Sequence, residues 1–87
     1  MIVRISPNAE KHFKNLAKLD QIILTKKIKS LVEVDQIYNE EKLTGYKDIY
    51  RVRIGSFRIV YRRLSSEIFV ILIGHRKDVY NQLKNLF

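Results

Sequence analysis

Four arginines occur in the stretch Ile49–Arg62 (IYRVRIGSFRIVYR), at spacings that place them on one face of a β-hairpin. They are Arg51, Arg53, Arg58 and Arg62. Like charges that face each other across two strands are destabilising, and a face needed only for solubility would mix acidic and neutral side chains with its cations. The planar guanidinium group matches phosphate oxygens. The stretch therefore predicts a site that binds a phosphate backbone, and protection of an edge strand is the alternative explanation.

The hairpin itself follows from Gly55-Ser56, which separates two apolar, β-branched runs. Glycine at the first position of a two-residue loop is typical of a type II′ turn, because that position requires a positive φ. A two-residue loop also fixes the register, so that Arg53 faces Arg58. The opposite face is apolar and predicts the core side. It carries Tyr50, Val52, Ile54, Phe57, Ile59 and Tyr61.

His75, Arg76 and Tyr80 follow the apolar run Glu67–Gly74 and form the second group suited to chemistry. If that run pairs beside Phe57–Tyr61, they come near the arginines. Histidine titrates near neutrality, and tyrosine can stack on a base or donate a proton. These groups suit metal-free RNA cleavage, in which the 2′-hydroxyl attacks the adjacent phosphorus while the protein orients the backbone and moves two protons. No carboxylate is expected to join them, and the chain has no P-loop or metal-ligand spacing.

The elements that position these residues surround the hairpin in the chain. Ser6-Pro7 is typical of a helix N-cap followed by proline at the first helical position, and Asp20 predicts the N-cap of a second helix. The predicted elements are a strand over Met1–Ser6, helices over Pro7–Lys18 and Gln21–Tyr38, a loop over Asn39–Lys47, the hairpin, a strand over Glu67–Gly74 and a helix over Asp78–Phe87. This order predicts an α+β domain, with an αα-hairpin packed on a mostly antiparallel four-stranded sheet and a short C-terminal helix.

Length and composition limit the class of protein. The 87 residues predict one domain, spanning 1–87, and the absence of cysteine excludes a disulfide scaffold. The longest apolar run, Ile68–Ile73, is too short for a membrane span. The pattern after Met1–Ser6 predicts no secretion signal, so we expect a cytoplasmic protein. The formal net charge of +8 predicts attraction to polyanions such as RNA, DNA or an acidic protein segment. No cofactor or metal is expected.

Two segments, KLTGYKDIYRVRIGSFRIVYR and IFVILIGHRKDVY, resemble the hairpin and the C-terminal end of the RelE/ParE superfamily of toxins from type II toxin–antitoxin systems. The similarity covers nearly all of the chain. It implies the RelE-like fold and, for the RelE branch, an mRNA endonuclease that enters the ribosomal A site and cuts the message there. The partners that it implies are a cognate antitoxin protein, a 70S-type ribosome and mRNA, without a membrane or a small-molecule cofactor.

The site residues of that superfamily carry over by position. They fall on Arg51, Arg53, Arg58, His75, Arg76 and Tyr80. Some relatives have lysine where this chain has Arg51 and Arg53, and arginine is a poor general base because it stays protonated, so the role of base shifts to His75. The complete GHRKDVY end favours the RelE branch. The alternatives are a ParE-type toxin that inhibits DNA gyrase, and a degenerate member that only binds nucleic acid or its antitoxin.

Overall fold

The computed structural model describes residues 2–33 and 40–86. In chain order the elements are β1 (Ile2–Ile5), α1 (Pro7–Lys14), α2 (Lys18–Glu33), β2 (Glu40–Lys42), β3 (Ile49–Ile54), β4 (Phe57–Arg63), β5 (Glu67–His75) and α3 (Arg76–Leu86). The predicted α+β class, with an N-terminal strand, a pair of helices and a C-terminal helix, is confirmed. The predicted boundaries at Met1, Tyr38, Asn39 and Phe87 lie outside the described residues.

A five-stranded sheet, with strands in the order β1-β5-β4-β3-β2, forms the centre of the fold. Neighbouring strands are antiparallel except β1 and β5. The prediction of four strands is wrong, because β2 lies inside the segment predicted as a loop. Its three residues are all charged and carry no hydrophobic alternation. The strand therefore depends on pairing with β3 rather than on its own propensity.

The β3–β4 hairpin has the predicted register. Arg53 pairs with Arg58 across the two-residue turn. Gly55 adopts a φ of 56°, whereas Ser56 does not have a positive φ, as expected for a type II′ turn. The local sequence thus determines which arginines face each other.

Helices cover both faces of the sheet. On one face α1 and α2 pack in a cluster that includes Leu24, Leu31 and Ile59. On the other face α3 packs against β5 and β4, where Val79 and Val60 belong to a second cluster. The end of this second face that adjoins β3 and the hairpin turn carries the charged side chains described below.

β5 is buried along most of its length, as its continuous apolar run predicts. A β-bulge interrupts its pairing with β4. Val60 pairs with Leu72 and Tyr61 with Val70, so Ile71 is the extra residue. As a consequence, Ile71 and Leu72 both belong to the cluster beneath α3.

The junction of the first two helices differs from the prediction. α1 ends at Lys14, and α2 begins at Lys18, so that Asp20 lies in the first turn of α2 rather than at its N-cap. The side-chain amide of Gln21 donates a hydrogen bond to the carbonyl of Phe13 at 3.1 Å, which ties the start of α2 to the end of α1. None of the helices within residues 2–33 and 40–86 is both long and apolar enough to cross a membrane.

Ser6 caps α1 and joins it to the bulge in β5. Its hydroxyl accepts a hydrogen bond from the amide of Ala9 at 3.0 Å and donates one to the carbonyl of Ile71 at 2.7 Å. Pro7 begins the helix. The predicted N-cap and its proline are confirmed, and the cap also makes a tertiary contact.

Replacing this cap should destabilise the protein. We expect Ser6→Ala to lower the free energy of unfolding by about 1–2 kcal/mol, because the helix loses its cap and the Ile71 carbonyl loses a donor. Urea denaturation followed by circular dichroism measures the change. Ser65→Ala, in the exposed turn between β4 and β5, is the matched control and should cost less than about 0.5 kcal/mol. Equal effects of the two substitutions would contradict the role of Ser6.

Candidate nucleic-acid site

A cavity of about 720 Å³ opens on the face of the sheet that carries α3. Strands β2, β3 and β4, the hairpin turn and the start of α3 contribute to its wall. Its lining residues are Glu40, Glu41, Arg51, Arg53, Gly55, Arg58, Arg76 and Tyr80. Five of the six residues predicted to form the site therefore line a single cavity.

Arg58 is the most enclosed arginine of this cavity, with 6% of its surface exposed. Its guanidinium donates hydrogen bonds to the backbone carbonyls of Phe57 at 3.0 Å and Gly55 at 3.4 Å, which fix its position beside the turn. Burial first, and then the charges of the other three cavity arginines, lower the pKa of Arg58, but the group remains protonated at physiological pH. Within the described part of the chain it has no carboxylate partner. A buried cation among other cations favours the binding of an anion.

Arg53 and Arg76 are exposed at the cavity. Arg53 is positioned by its pairing with Arg58 across β3 and β4. The backbone amide of Arg76 donates a hydrogen bond to the carbonyl of Ser56 at 3.3 Å, which ties the start of α3 to the hairpin turn. α3 accordingly begins at Arg76 and not at the predicted Asp78. In residues 2–33 and 40–84 neither guanidinium forms an ion pair, so both can bind an anionic ligand.

Arg51 contacts two other groups of the cavity. It pairs with Glu41 across β2 and β3, and their side chains form an ion pair. Its guanidinium carbon lies 5.2 Å from the ring centroid of Tyr80, a cation–π contact. The expectation that no carboxylate joins the site is therefore wrong. Local sequence could not reveal Glu41, because the charge opposite Arg51 becomes visible only once β2 is known to pair with β3.

His75 lies on the opposite face of the sheet from the cavity. It pairs with Phe57 across β4 and β5, and the two rings stack with their centroids 4.5 Å apart. Phe57 belongs to the core under α1 and α2, which confirms its predicted core position. The expected proximity of His75 to the arginines is not found. Strand alternation is the reason: Arg58 faces the cavity, so its neighbour Phe57 and the partner His75 face away from it.

Arg62, the fourth arginine of the predicted face, also lies away from the cavity. It pairs with Ile49 at the far end of β4 and is half-buried there. The hairpin therefore contributes three arginines to the cavity instead of the predicted four. The fourth arginine of the cavity is Arg76, which belongs to α3.

A buried polar network on the other face of the sheet holds β2 against its neighbours. Glu40 accepts hydrogen bonds from the hydroxyl of Tyr61 and from the guanidinium of Arg63, which also lies 5.6 Å from the ring centroid of Tyr50. Burial and then the Glu40 carboxylate raise the pKa of Tyr61 well above its usual range. Burial lowers the pKa of Arg63, but the hydrogen bond and charge of Glu40 outweigh it, so this pKa is raised. Because Glu41 follows Glu40 in β2, the network also determines where Glu41 lies.

The groups that the cavity gathers have complementary chemical properties. Its guanidiniums can bind phosphate oxygens, the Glu41 carboxylate can accept a proton, and the Tyr80 phenol can stack on a base or donate a proton. Among the residues that the structure describes, no group of three or more His, Asp or Glu side chains is arranged to hold a metal ion.

Together, the fold and this cavity define a small α+β protein with a cavity lined by four arginines. Residues 3–80 match the family model of the ParE toxin of type II toxin–antitoxin systems, parDE. The chain therefore belongs to this toxin family, within the RelE/ParE superfamily.

Solved structures confirm the RelE-like fold. The isolated E. coli RelE toxin is 26% identical, with a TM-score of 0.74, over 99% of this chain and 98% of its own. A chain of the intact E. coli RelBE toxin–antitoxin complex is 28% identical, with a TM-score of 0.73, over 85% of this chain and 94% of its own. A chain of the RelB–RelE complex from Methanococcus jannaschii, at 20% identity and a TM-score of 0.74 over 90% of this chain and 95% of its own, shares the fold. Comparison with curated proteins gave no match.

The raised pKa of Tyr61 predicts a loss of stability in alkaline solution. The unfolded phenol loses its proton near pH 10, whereas the folded one keeps it. The free energy of unfolding should therefore fall above about pH 10, by up to about 1.4 kcal/mol per pH unit from this group. Tyr61→Phe should fall less steeply. Urea denaturation between about pH 8 and pH 11 measures both slopes.

Tyr80→Phe is the matched control for this experiment. It removes a phenol at the cavity and leaves the Tyr61–Glu40 hydrogen bond in place. It should keep the steep alkaline fall of the wild type. Parallel curves for the wild type and Tyr61→Phe would contradict the role of the buried phenol.

Proposed function

We propose that this toxin is a ribosome-dependent endoribonuclease that cleaves messenger RNA. The observation that carries the proposal is the convergence of Arg51, Arg53, Arg58, Arg76 and Tyr80 on one cavity of about 720 Å³. This volume falls within the range of pockets that hold a small molecule, which suits one nucleotide and its phosphates. The similarity to the isolated E. coli RelE toxin over 99% of this chain supports the same function.

The cavity residues have different roles in a cleavage in which the RNA's own 2′-hydroxyl attacks the phosphorus. Negative charge builds on the phosphate oxygens as that hydroxyl attacks. Arg58, which backbone carbonyls already orient, binds the reacting phosphate, and Arg53 and Arg76 offset the added charge. Tyr80 stacks on a base or donates a proton to the leaving oxygen. His75 stays a site prediction without geometric support, because its ring packs away from the cavity.

The ribosome supplies the alignment that the cavity does not provide. Arg53 and Arg76 are exposed, so they can bind the RNA backbone but do not fix the angle at which the 2′-hydroxyl attacks the phosphorus. A ribosome that holds the message in its A site presents the 2′-hydroxyl and phosphorus in a fixed arrangement. The formal net charge of +8 favours association with ribosomal RNA in the cytoplasm.

A cognate antitoxin protein is part of the proposal. The E. coli RelBE and Methanococcus jannaschii RelB–RelE structures are both antitoxin–toxin complexes. The net charge of +8 and the exposed arginines favour a partner with an acidic segment that folds as it binds.

Removing one cavity arginine should nearly abolish cleavage. We expect Arg58→Ala and Arg76→Ala each to slow cleavage of ribosome-bound message by about 10²–10³-fold, because each removes a positioned cation from a phosphate that gains charge. The assay adds the purified chain to a translation reaction and maps new message ends by primer extension.

Arg4→Ala is the matched control. It removes the same charge from β1, where Arg4 pairs with Glu67 outside the cavity, and should cleave at the wild-type rate. A wild-type chain that leaves ribosome-bound message intact would contradict the proposed function.

The family model favours a second function, because its description is that of a ParE toxin. A toxin of this kind inhibits DNA gyrase and leaves RNA intact. Incubation of the chain with gyrase, supercoiled DNA and ATP tests it directly. Gyrase-dependent DNA breaks together with intact message would support the ParE-type function, and the reverse pattern would support the endoribonuclease.

A further inference from the structure

We infer that Glu41 is the proton acceptor of the proposed cleavage, the residue that takes the proton of the attacking 2′-hydroxyl. The inference rests on the proposed function and adds to it the group that starts the reaction. It follows from where the carboxylates and histidines of the described chain lie relative to the cavity.

Few groups of the cavity can accept a proton. The four arginines cannot, because they stay protonated. Of the other ionisable side chains in the cavity wall, Tyr80 is a phenol that holds its proton at neutral pH. Glu40 directs its carboxylate to Tyr61 and Arg63 on the opposite face of the sheet, where 15% of the side chain is exposed. Glu41 is the acceptor that remains.

The other possible proton acceptors of the described chain do not line the cavity. His75 stacks on Phe57 on the other face. The His12 ring extends from α1 toward β5 and α3, and its Nδ1 atom lies 3.3 Å from both the Ile73 carbonyl and the Gln82 side-chain amide. The other described carboxylates do not line the cavity; they belong to Glu10, Asp20, Glu33, Asp48, Glu67 and Asp78.

The contacts of Glu41 suit this role. Its side chain is 63% exposed, so a substrate can reach the carboxylate. Its ion-pair partner Arg51 lies 5.2 Å from the ring centroid of Tyr80, so one guanidinium contacts both the carboxylate and the phenol. A phosphate that binds Arg51 takes over some of its five N–H donors and thereby frees a Glu41 lone pair beside the ribose.

The proposed reaction moves two protons and exchanges one bond to phosphorus. The Glu41 carboxylate takes the proton of the 2′-hydroxyl, and the 2′ oxygen forms a bond to the adjacent phosphorus. The bond from phosphorus to the 5′ oxygen breaks, and that oxygen takes a proton from Tyr80. The products are a 2′,3′-cyclic phosphate and a 5′-hydroxyl. Glu41 then loses its proton to solvent and Tyr80 regains one.

Glu41→Gln tests the assignment, because glutamine keeps an oxygen that Arg51 can bind but cannot act as a base. We expect the single-turnover cleavage of ribosome-bound message to slow by roughly 10²–10⁴-fold, with ribosome affinity equal to or greater than that of the wild type. Glu67→Gln is the matched control: it removes a carboxylate from another cross-strand pair with an arginine, Arg4, away from the cavity. It should cleave at the wild-type rate, and both variants should melt within a few degrees of the wild type.

A modified message separates the attacking side of the reaction from the leaving side. Sulfur in place of the bridging 5′ oxygen at the cleaved phosphate leaves without being protonated. On this message Tyr80→Phe should regain most of the wild-type rate, whereas Glu41→Gln should stay slow. Recovery of Glu41→Gln on the sulfur-containing message would overturn its role as proton acceptor.

The failures of the two proposals are distinguishable. If the wild-type chain cleaves and Glu41→Gln cleaves within a few-fold of it, Glu41 only holds Arg51 in place, and the inference fails while the endoribonuclease stands. If the wild-type chain does not cleave ribosome-bound message at all, both fail.

Discussion

Repulsion among four guanidinium groups is the constraint on which the rest of this structure depends. Arg53 and Arg58 face each other across a hairpin, and Arg51 and Arg76 complete the same cavity wall. Such charges would separate if their backbones were free to move. The two-residue turn, the packing of the opposite face on α1 and α2, and the bond from Arg76 to the turn prevent that.

The two faces of the hairpin therefore differ in what they contribute to the protein. One contributes Val52, Ile59 and Tyr61 to the main core and stabilises the fold. The other holds cations that repel one another and so do not stabilise the chain. A single charge, Glu41, relieves part of the repulsion at Arg51, and the Glu40–Tyr61 hydrogen bond on the far side keeps β2 in place to do so. A fold alone does not determine function, which depends on the residues of a site such as this cavity.

Local sequence predicts what local geometry determines. Gly55-Ser56 sets the turn, the turn sets the register, and alternation then assigns every hairpin residue to a face. The Ser6 cap and the continuous apolar run of β5 are equally local. All of these were predictable because neighbours in the chain decide them.

Features that depend on distant pairing could not be predicted in this way. β2 consists of three charged residues that become a strand only against β3. The face that His75 occupies depends on how β5 registers with β4, including a bulge at Ile71 that no local pattern marks. α3 begins at Arg76, two residues before the predicted Asp78, where the amide of Arg76 bonds to the distant hairpin turn. The missing carboxylate and the misplaced histidine thus have one cause, the long-range register of the sheet.

Two polar side chains, Ser6 at the N-cap of α1 and His12 within α1, also affect self-association. β1 pairs with β5 only up to Val70, so the carbonyls of Ile71 and Ile73 would otherwise lie at an open strand edge. The Ser6 hydroxyl donates to the first, and the His12 ring lies 3.3 Å from the second. β5 is largely apolar, and an open edge on such a strand could pair with further chains and form fibrils. Two polar side chains, one from the N-cap of α1 and one from α1 itself, cover this edge beyond Val70.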